Sequence, residues 1–63
     1  MKVYEVETVR KVYYFNEIEY EVSWDDHWLM AVAKDGKNFT FIPKEAIERI
    51  SVYWVEGKSD EQQ

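Results

Sequence analysis

The stretch FTFIPKEAIERISV, residues 39–52, decides the fold of this 63-residue chain. Phe39 to Ile42 is rich in side chains that favour strands, and Pro43 cannot donate to a sheet ladder but suits the start of a helical turn. Residues 44–47 are therefore predicted to form a short 3₁₀ turn. Residues 48–55 alternate between two faces, as a second strand would.

Upstream of this stretch, Asp35-Gly36 is a strong hairpin signal. A two-residue loop at Asp35-Gly36 places Val32 opposite Phe39 and Met30 opposite Phe41. Trp28 alternates in phase with Met30 and Val32, so the large side chains of both strands are predicted to share one face.

The segment Glu17 to Trp24 shows the clearest alternation, with Ile18, Tyr20, Val22 and Trp24 on one side and Glu17, Glu19, Glu21 and Ser23 on the other. The turn after it contains Asp25-Asp26-His27. A two-residue loop would place a glutamate opposite Met30, whereas a three-residue loop places Trp24 opposite Trp28 and keeps one apolar face. We therefore predict the three-residue loop, with an Asp or His in the left-handed conformation.

The first fifteen residues are rich in Val, Tyr and Phe and are predicted to form one long strand that bends near residues 8–10. The whole pattern predicts five strands with a helical turn before the last one. They would form an all-β antiparallel barrel over residues 1–56, followed by a flexible polar tail over residues 57–63. An open antiparallel sheet completed by a second subunit is the alternative.

In this strand order, and in residues 34–37, 39–42, 43–47 and 48–52, the chain resembles the SH3-like small β-barrels, the group that includes the Sm-like proteins. The resemblance implies a five-stranded antiparallel barrel with a 3₁₀ turn before the last strand. It implies no particular activity, because one fold supports many functions.

The composition indicates a single small acidic domain. A chain of 63 residues has a thin core, and this one has no cysteine to staple it but carries 3 Trp, 5 Tyr and 3 Phe. Its formal net charge of −5 argues against a surface that tracks phosphates. Because the sequence shows neither the pattern of a signal peptide nor a run long enough to span a membrane, a cytoplasmic location is expected and no membrane partner.

Motifs of catalysis are weak, so a non-enzyme is expected, without catalytic residues, metal or cofactor. His27, together with Asp25 and Asp26, could form a weak metal site or an acid–base site. However, neighbouring residues of one turn rarely converge on an ion. The hydroxyl side chains have no evident base. Gly36 and Gly57 alone do not make a glycine-rich phosphate loop.

A surplus of apolar residues favours an interaction function. A domain this small cannot bury all its aromatic and aliphatic side chains, and exposed patches mark interfaces. The first and last strands suggest candidate contact residues Tyr4, Val6, Tyr53, Trp54 and Val55. A protein partner or a homo-oligomer is therefore predicted, and an accessory protein of phage type is a hypothesis from size and acidity.

Two alternatives stay open. Aromatic side chains could stack on single-stranded nucleic acid; the candidates are Tyr13, Tyr14, Trp24, Trp28, Phe39 and Trp54. Alternatively, the acidic face Glu17, Glu19 and Glu21 could imitate a row of phosphates and inhibit a DNA-binding protein, since alternate residues of a strand lie about 7 Å apart. Solubility explains the same three glutamates.

Overall fold

The computed structural model describes residues 1–56 and is all-β, as predicted. A single 3₁₀ turn, Lys44–Ala46, lies between the fifth and sixth strands. The strands are β1 (Lys2–Thr8), β2 (Val12–Asn16), β3 (Tyr20–Trp24), β4 (Trp28–Ala33), β5 (Phe39–Pro43) and β6 (Ile47–Trp54). The predicted tail, residues 57–63, lies outside the described residues. Within residues 1–56 no helix is long and apolar enough to cross a membrane.

The six strands form two antiparallel sheets of three strands each. The first sheet has the order β2-β1-β6 and the second sheet the order β3-β4-β5. The prediction of five strands is wrong, because the N-terminal segment folds back as a hairpin instead of bending. At this hairpin the Thr8 amide donates to the Lys11 carbonyl at 3.0 Å, and the Thr8 hydroxyl donates to the same oxygen at 2.8 Å.

The core lies between the two sheets. The first sheet contributes Val6 and Phe15, and the second contributes Leu29, Ala31 and Ile42. Six partly buried side chains pack around these five: Tyr4, Tyr13, Tyr20, Val22, Ile47 and Ile50. The core therefore combines the large Phe15, Leu29 and Ile42 with the small Ala31, and partly buried aromatic and aliphatic side chains surround it.

The hairpin between β4 and β5 has the predicted register. Val32 lies opposite Phe39, and Met30 lies opposite Phe41. Gly36 has a φ of 76°, the left-handed conformation that glycine adopts at no steric cost. The Asp35 carboxylate accepts a hydrogen bond from the Lys37 amide at 2.9 Å and so closes the turn.

The turn between β3 and β4 differs from the prediction by one residue. The Asp25 carboxylate accepts hydrogen bonds from the His27 amide at 2.8 Å and the Trp28 amide at 2.9 Å, and the Asp25 amide donates to the Trp28 carbonyl at 3.0 Å, so Asp25 faces Trp28 across the turn. Trp24 therefore lies opposite Leu29 and not opposite Trp28. The left-handed Asp or His is also wrong, since among residues 1–56 only glycine has a positive φ.

This one-residue shift decides which side of β4 is buried. Val22 lies opposite Ala31, so the apolar side of β3 shares a face with the small residues of β4. Leu29 and Ala31 are fully buried there. Met30 and its large neighbours consequently lie on the outer side, away from the first sheet.

The turn between β2 and β3 corrects the predicted strand over residues 17–24. Residues 17–19 form a turn, and the strand begins only at Tyr20. Asn16 holds the turn, because its side-chain oxygen accepts a hydrogen bond from the Glu19 amide at 2.8 Å. Ile18 is exposed in this turn instead of facing the core.

The predicted helical turn is present. Pro43, with a φ of −64°, ends β5 and precedes the 3₁₀ turn Lys44–Ala46. The Lys44 amide donates to the His27 carbonyl at 2.9 Å, which ties this turn to the β3–β4 turn. Both turns therefore sit at the same end of the second sheet.

Candidate functional site

The outer side of the second sheet carries an aligned group of apolar side chains, four of them exposed and one half-buried. We call it the outer apolar face, and it consists of the exposed Trp28, Val32, Phe39 and Phe41 and the half-buried Met30. The alternation of β4 and β5 produces it: Leu29 and Ile42 point into the core, so their neighbours in the chain point out.

The aromatic rings of this face touch one another. Trp28 and Phe41 have ring centroids 6.2 Å apart at an angle of 73°, and Phe39 and Phe41 are 6.4 Å apart at 74°. These are edge-to-face contacts, a favourable arrangement for aromatic pairs. Trp28, Phe39 and Phe41 nevertheless remain 43%, 65% and 54% exposed. The result is a continuous aromatic row open to solvent.

The border of the outer apolar face along β3 is more polar than its centre. There Glu21 lies opposite Val32 and Ser23 lies opposite Met30. Beyond Phe41, by contrast, a groove of about 340 Å³ between the β1–β2 turn and β5 is lined mainly by apolar residues, Val9 among them, with Arg10 as its charged member. An apolar centre with a polar border is typical of a protein interface.

The structure removes Val6 from the interface predicted from the sequence. Val6 is fully buried in the core and cannot touch a partner. Tyr4 is partly buried and packs edge-to-face on Trp24, with ring centroids 6.2 Å apart. Both residues lie on the side of β1 that packs on the second sheet, because residues two apart on a strand share one face.

The other three predicted contact residues are exposed but do not form one surface. Trp54 lies opposite Lys2 and Tyr53 opposite Val3, so these neighbours point to opposite sides of the first sheet. Partial desolvation, together with a hydrogen bond and the negative charge of Glu5, raises the pKa of Tyr53. Val55 follows the end of β6, where its amide donates to the Met1 carbonyl at 2.8 Å.

The predicted acidic row is not a straight strand row. Glu21 lies on β3, but Glu17 and Glu19 lie in the turn before it. Glu17 also accepts a hydrogen bond from the Lys2 amide at 3.1 Å. The regular spacing on which phosphate mimicry depended is therefore absent from these three residues.

The six candidate stacking residues are divided between the two sheets. Trp28 and Phe39 share the outer apolar face. Tyr13 stacks on Phe15 at the edge of the core, with ring centroids 6.0 Å apart, and Tyr14 points to the other side of β2. Only two of the six candidates thus lie together on an open surface, where Phe41 joins them.

The Asp25-Asp26-His27 segment is used for turn structure. The two amide hydrogen bonds from His27 and Trp28 lower the pKa of Asp25 below its usual range. Within residues 1–56 no group of three or more His, Cys, Asp and Glu side chains could hold a metal ion.

The alternation of the sequence predicts that the residues of the outer apolar face line a single buried face, and so it does not predict them as an interface. One signal in the sequence could have found it. All six residues of β4, Trp-Leu-Met-Ala-Val-Ala, are apolar. A strand that is apolar on both faces is typical of a sheet covered on both sides.

Comparisons of this chain with protein-family models, with curated proteins and with solved structures find no match.

Proposed function

We propose that this protein is a small non-enzymatic interaction module that binds a protein through the outer apolar face. The observation that carries the proposal is the contiguous row of Trp28, Phe41 and Phe39, which stays open to solvent although its rings pack on each other. Solvating such a row is unfavourable, and covering it with another apolar surface releases the water.

The size of the outer apolar face supports this function. Taking about 200 Å² for a large aromatic side chain, the three exposed rings and their two aliphatic neighbours present about 400 Å² to solvent. The largest apolar patch of a monomeric protein is commonly about 300–600 Å² and is often functional. This patch lies in that range on a chain of only 63 residues.

Single-stranded nucleic acid is a second candidate ligand, because the same three rings could stack on unpaired bases. The formal net charge of −5 opposes it, since such sites combine aromatic side chains with a basic groove. A protein ligand is therefore the preferred candidate, in a cytoplasmic accessory role.

We further propose a relation to the SH3-like small barrels. It is supported by the succession of β5, the 3₁₀ turn Lys44–Ala46 and β6. This relation adds nothing to the choice of ligand, because small barrels bind very different partners.

The test is an affinity capture with three tagged baits: wild type, Phe39→Ser/Phe41→Ser, and Trp54→Ser as an exposed aromatic control on the first sheet. Lysate of the source organism is supplemented with an untagged, isotopically labelled copy of the same chain and divided into portions with and without nuclease. Bound proteins, including the labelled copy, are quantified by mass spectrometry.

A protein retained by wild type and Trp54→Ser, but lost from the double variant and unaffected by nuclease, would support the proposal. Retention of the same proteins by all three baits would contradict it, as would capture of nothing by wild type. Binding that disappears with nuclease would favour the nucleic-acid alternative instead.

A further inference from the structure

We propose that the partner on the outer apolar face is a second copy of this chain, packed face to face about a twofold axis. This inference rests on the function proposed above and specifies its ligand. A symmetric dimer uses the same patch on both subunits, so one self-complementary surface is sufficient.

Two strands of the second sheet, β4 and β5, have the composition of a layer covered on both sides, whereas β3 carries Glu21 and Ser23 on its outer side. The inner half of β4 is covered by the first sheet, while its outer half, Trp28, Met30 and Val32, is open. The two faces of β5 show the same feature: Phe39 and Phe41 point outward, whereas the polar Thr40 points inward. The outward residues of β5 are thus larger and more apolar than an inward one, the reverse of a sheet with a solvated outer face.

The area of the outer apolar face fits a weak dimer. Two copies of about 400 Å² each cover about 800 Å² of side chain, which is below the about 1,200 Å² at which standard specific interfaces begin and is the size of a weak, concentration-dependent contact. Within residues 1–56 the largest fully buried side chains are Val6 and Leu29, and the pairing would add a second apolar layer to this thin core.

The charge distribution also permits self-pairing. None of the five residues of the outer apolar face is charged, so the pairing of two copies leaves no unpaired charge at the centre. The two chains repel each other elsewhere, because each carries a formal net charge of −5. Salt screens this repulsion, so dimerisation is expected to strengthen with ionic strength, whereas binding of a basic partner would weaken.

Phe41 is the residue to change. It contacts both Trp28 and Phe39 and therefore lies in the middle of the aromatic row. Near a twofold axis, Phe41→Glu places two like charges close together in an apolar interface. Trp54→Glu is the matched control, since Trp54 is an exposed aromatic residue that is 72% accessible on β6 of the first sheet.

The experiment is sedimentation equilibrium of the full 63-residue chain from low micromolar to near millimolar concentration, at low and high salt. Far-UV circular dichroism of each variant at low concentration verifies the fold. Phe39→Ser is a milder second variant for the case in which Phe41→Glu does not fold.

We expect a monomer–dimer equilibrium for wild type and Trp54→Glu that strengthens with salt. The dissociation constant of Phe41→Glu, or of Phe39→Ser, should rise by at least about tenfold, as for a central interface residue. A wild type that sediments as a 7.7 kDa monomer throughout would overturn the dimer, and so would a dimer broken by Trp54→Glu but not by the face variants. If a different protein is captured in a face-dependent way, the monomeric result would refute only the dimer and leave the proposed function intact.

Discussion

Single residues set the turns of this protein, and Asp25 has the largest consequence. Its carboxylate accepts two backbone hydrogen bonds, and Asp25 faces Trp28 across the β3–β4 turn. The register of β3 and β4 therefore differs by one residue from the predicted register, and the large residues of β4 point outward. An aspartate in a turn could be predicted from the sequence, but which amides it would bind could not, because several turn lengths satisfy its acceptor oxygens.

The Asp25 turn predicts an acid dependence of stability. Because folding lowers the pKa of Asp25, its ionised form stabilises the folded state above its usual pKa, and that contribution is lost as the pH falls through the lower folded value. Wild type should therefore lose stability below about pH 4.

Asp25→Ala should be less stable than wild type at neutral pH and should lose less on acidification. Asp26→Ala, which leaves both hydrogen bonds of Asp25 in place, is the control and should keep the wild-type acid dependence. Urea unfolding monitored by tryptophan fluorescence at several pH values measures both effects. Parallel pH profiles for all three proteins would contradict the role given to Asp25.

Gly36 illustrates a residue whose role the sequence predicts well. Its left-handed conformation ends the turn that begins at Ala33, whose carbonyl accepts a hydrogen bond from the Gly36 amide at 2.9 Å, and no side chain or more distant backbone atom lies within 4 Å of the position of an added Cβ. Gly36→Ala should therefore be destabilised by about 1 kcal/mol, from backbone strain alone. Gly36→Asn should lose less, because asparagine tolerates this conformation. Equal stability of wild type and Gly36→Ala in urea unfolding would refute the assigned turn.

At the scale of elements, the pairing of β4 with β5 was predictable and the pairing of β3 with β4 was not. The β4–β5 reversal spans residues 34–37, where the Gly36 amide donates to the Ala33 carbonyl at 2.9 Å, and it has the same register as the predicted two-residue loop, with Val32 opposite Phe39. The β3–β4 turn has no glycine to define its length. The three-residue loop was predicted only because it places all large residues on one face. The inner face instead combines Leu29 with small alanines, because large residues of β3 and of the first sheet fill the space.

The opposite faces of β4 predict a contrast between neighbouring positions. Leu29→Ala removes a fully buried side chain and should lower the free energy of unfolding by about 2–5 kcal/mol. Val32→Ala removes a side chain of the outer apolar face and should lower it by less than about 1 kcal/mol at a concentration where the chain is monomeric. Chemical denaturation of dilute protein measures both, and a larger effect at Val32 would mean that β4 is inverted.

At the scale of the whole molecule, the described chain is a two-layer structure with a thin core and one open apolar surface. The sequence predicted that apolar side chains would exceed the available core. It did not predict the location of the exposed apolar side chains. They were expected on the first and last strands, but Val6 is buried there, and Tyr53 and Trp54 point to opposite sides of the sheet. The location follows from the register of β3, which depends on the Asp25 turn.

Self-association predicts that the thermal stability depends on concentration. A dimer that forms only from folded chains raises the melting temperature as the protein is concentrated. Wild type should show this increase and Phe41→Glu should not, while both melt at similar temperatures when dilute. Differential scanning fluorimetry over a hundredfold dilution series is sufficient. Melting temperatures of wild type that stay constant over the series would contradict it.

The most direct test of the interaction surface is hydroxyl-radical footprinting of the wild-type chain at low and high concentration. We expect Trp28, Phe39 and Phe41 to lose reactivity as the protein is concentrated, while Trp54 and Tyr14 keep theirs, because only the outer apolar face is covered. Reactivity of the three face residues that does not change with concentration, or protection confined to Trp54 and Tyr14, would contradict the assignment of this face to a second copy of the chain.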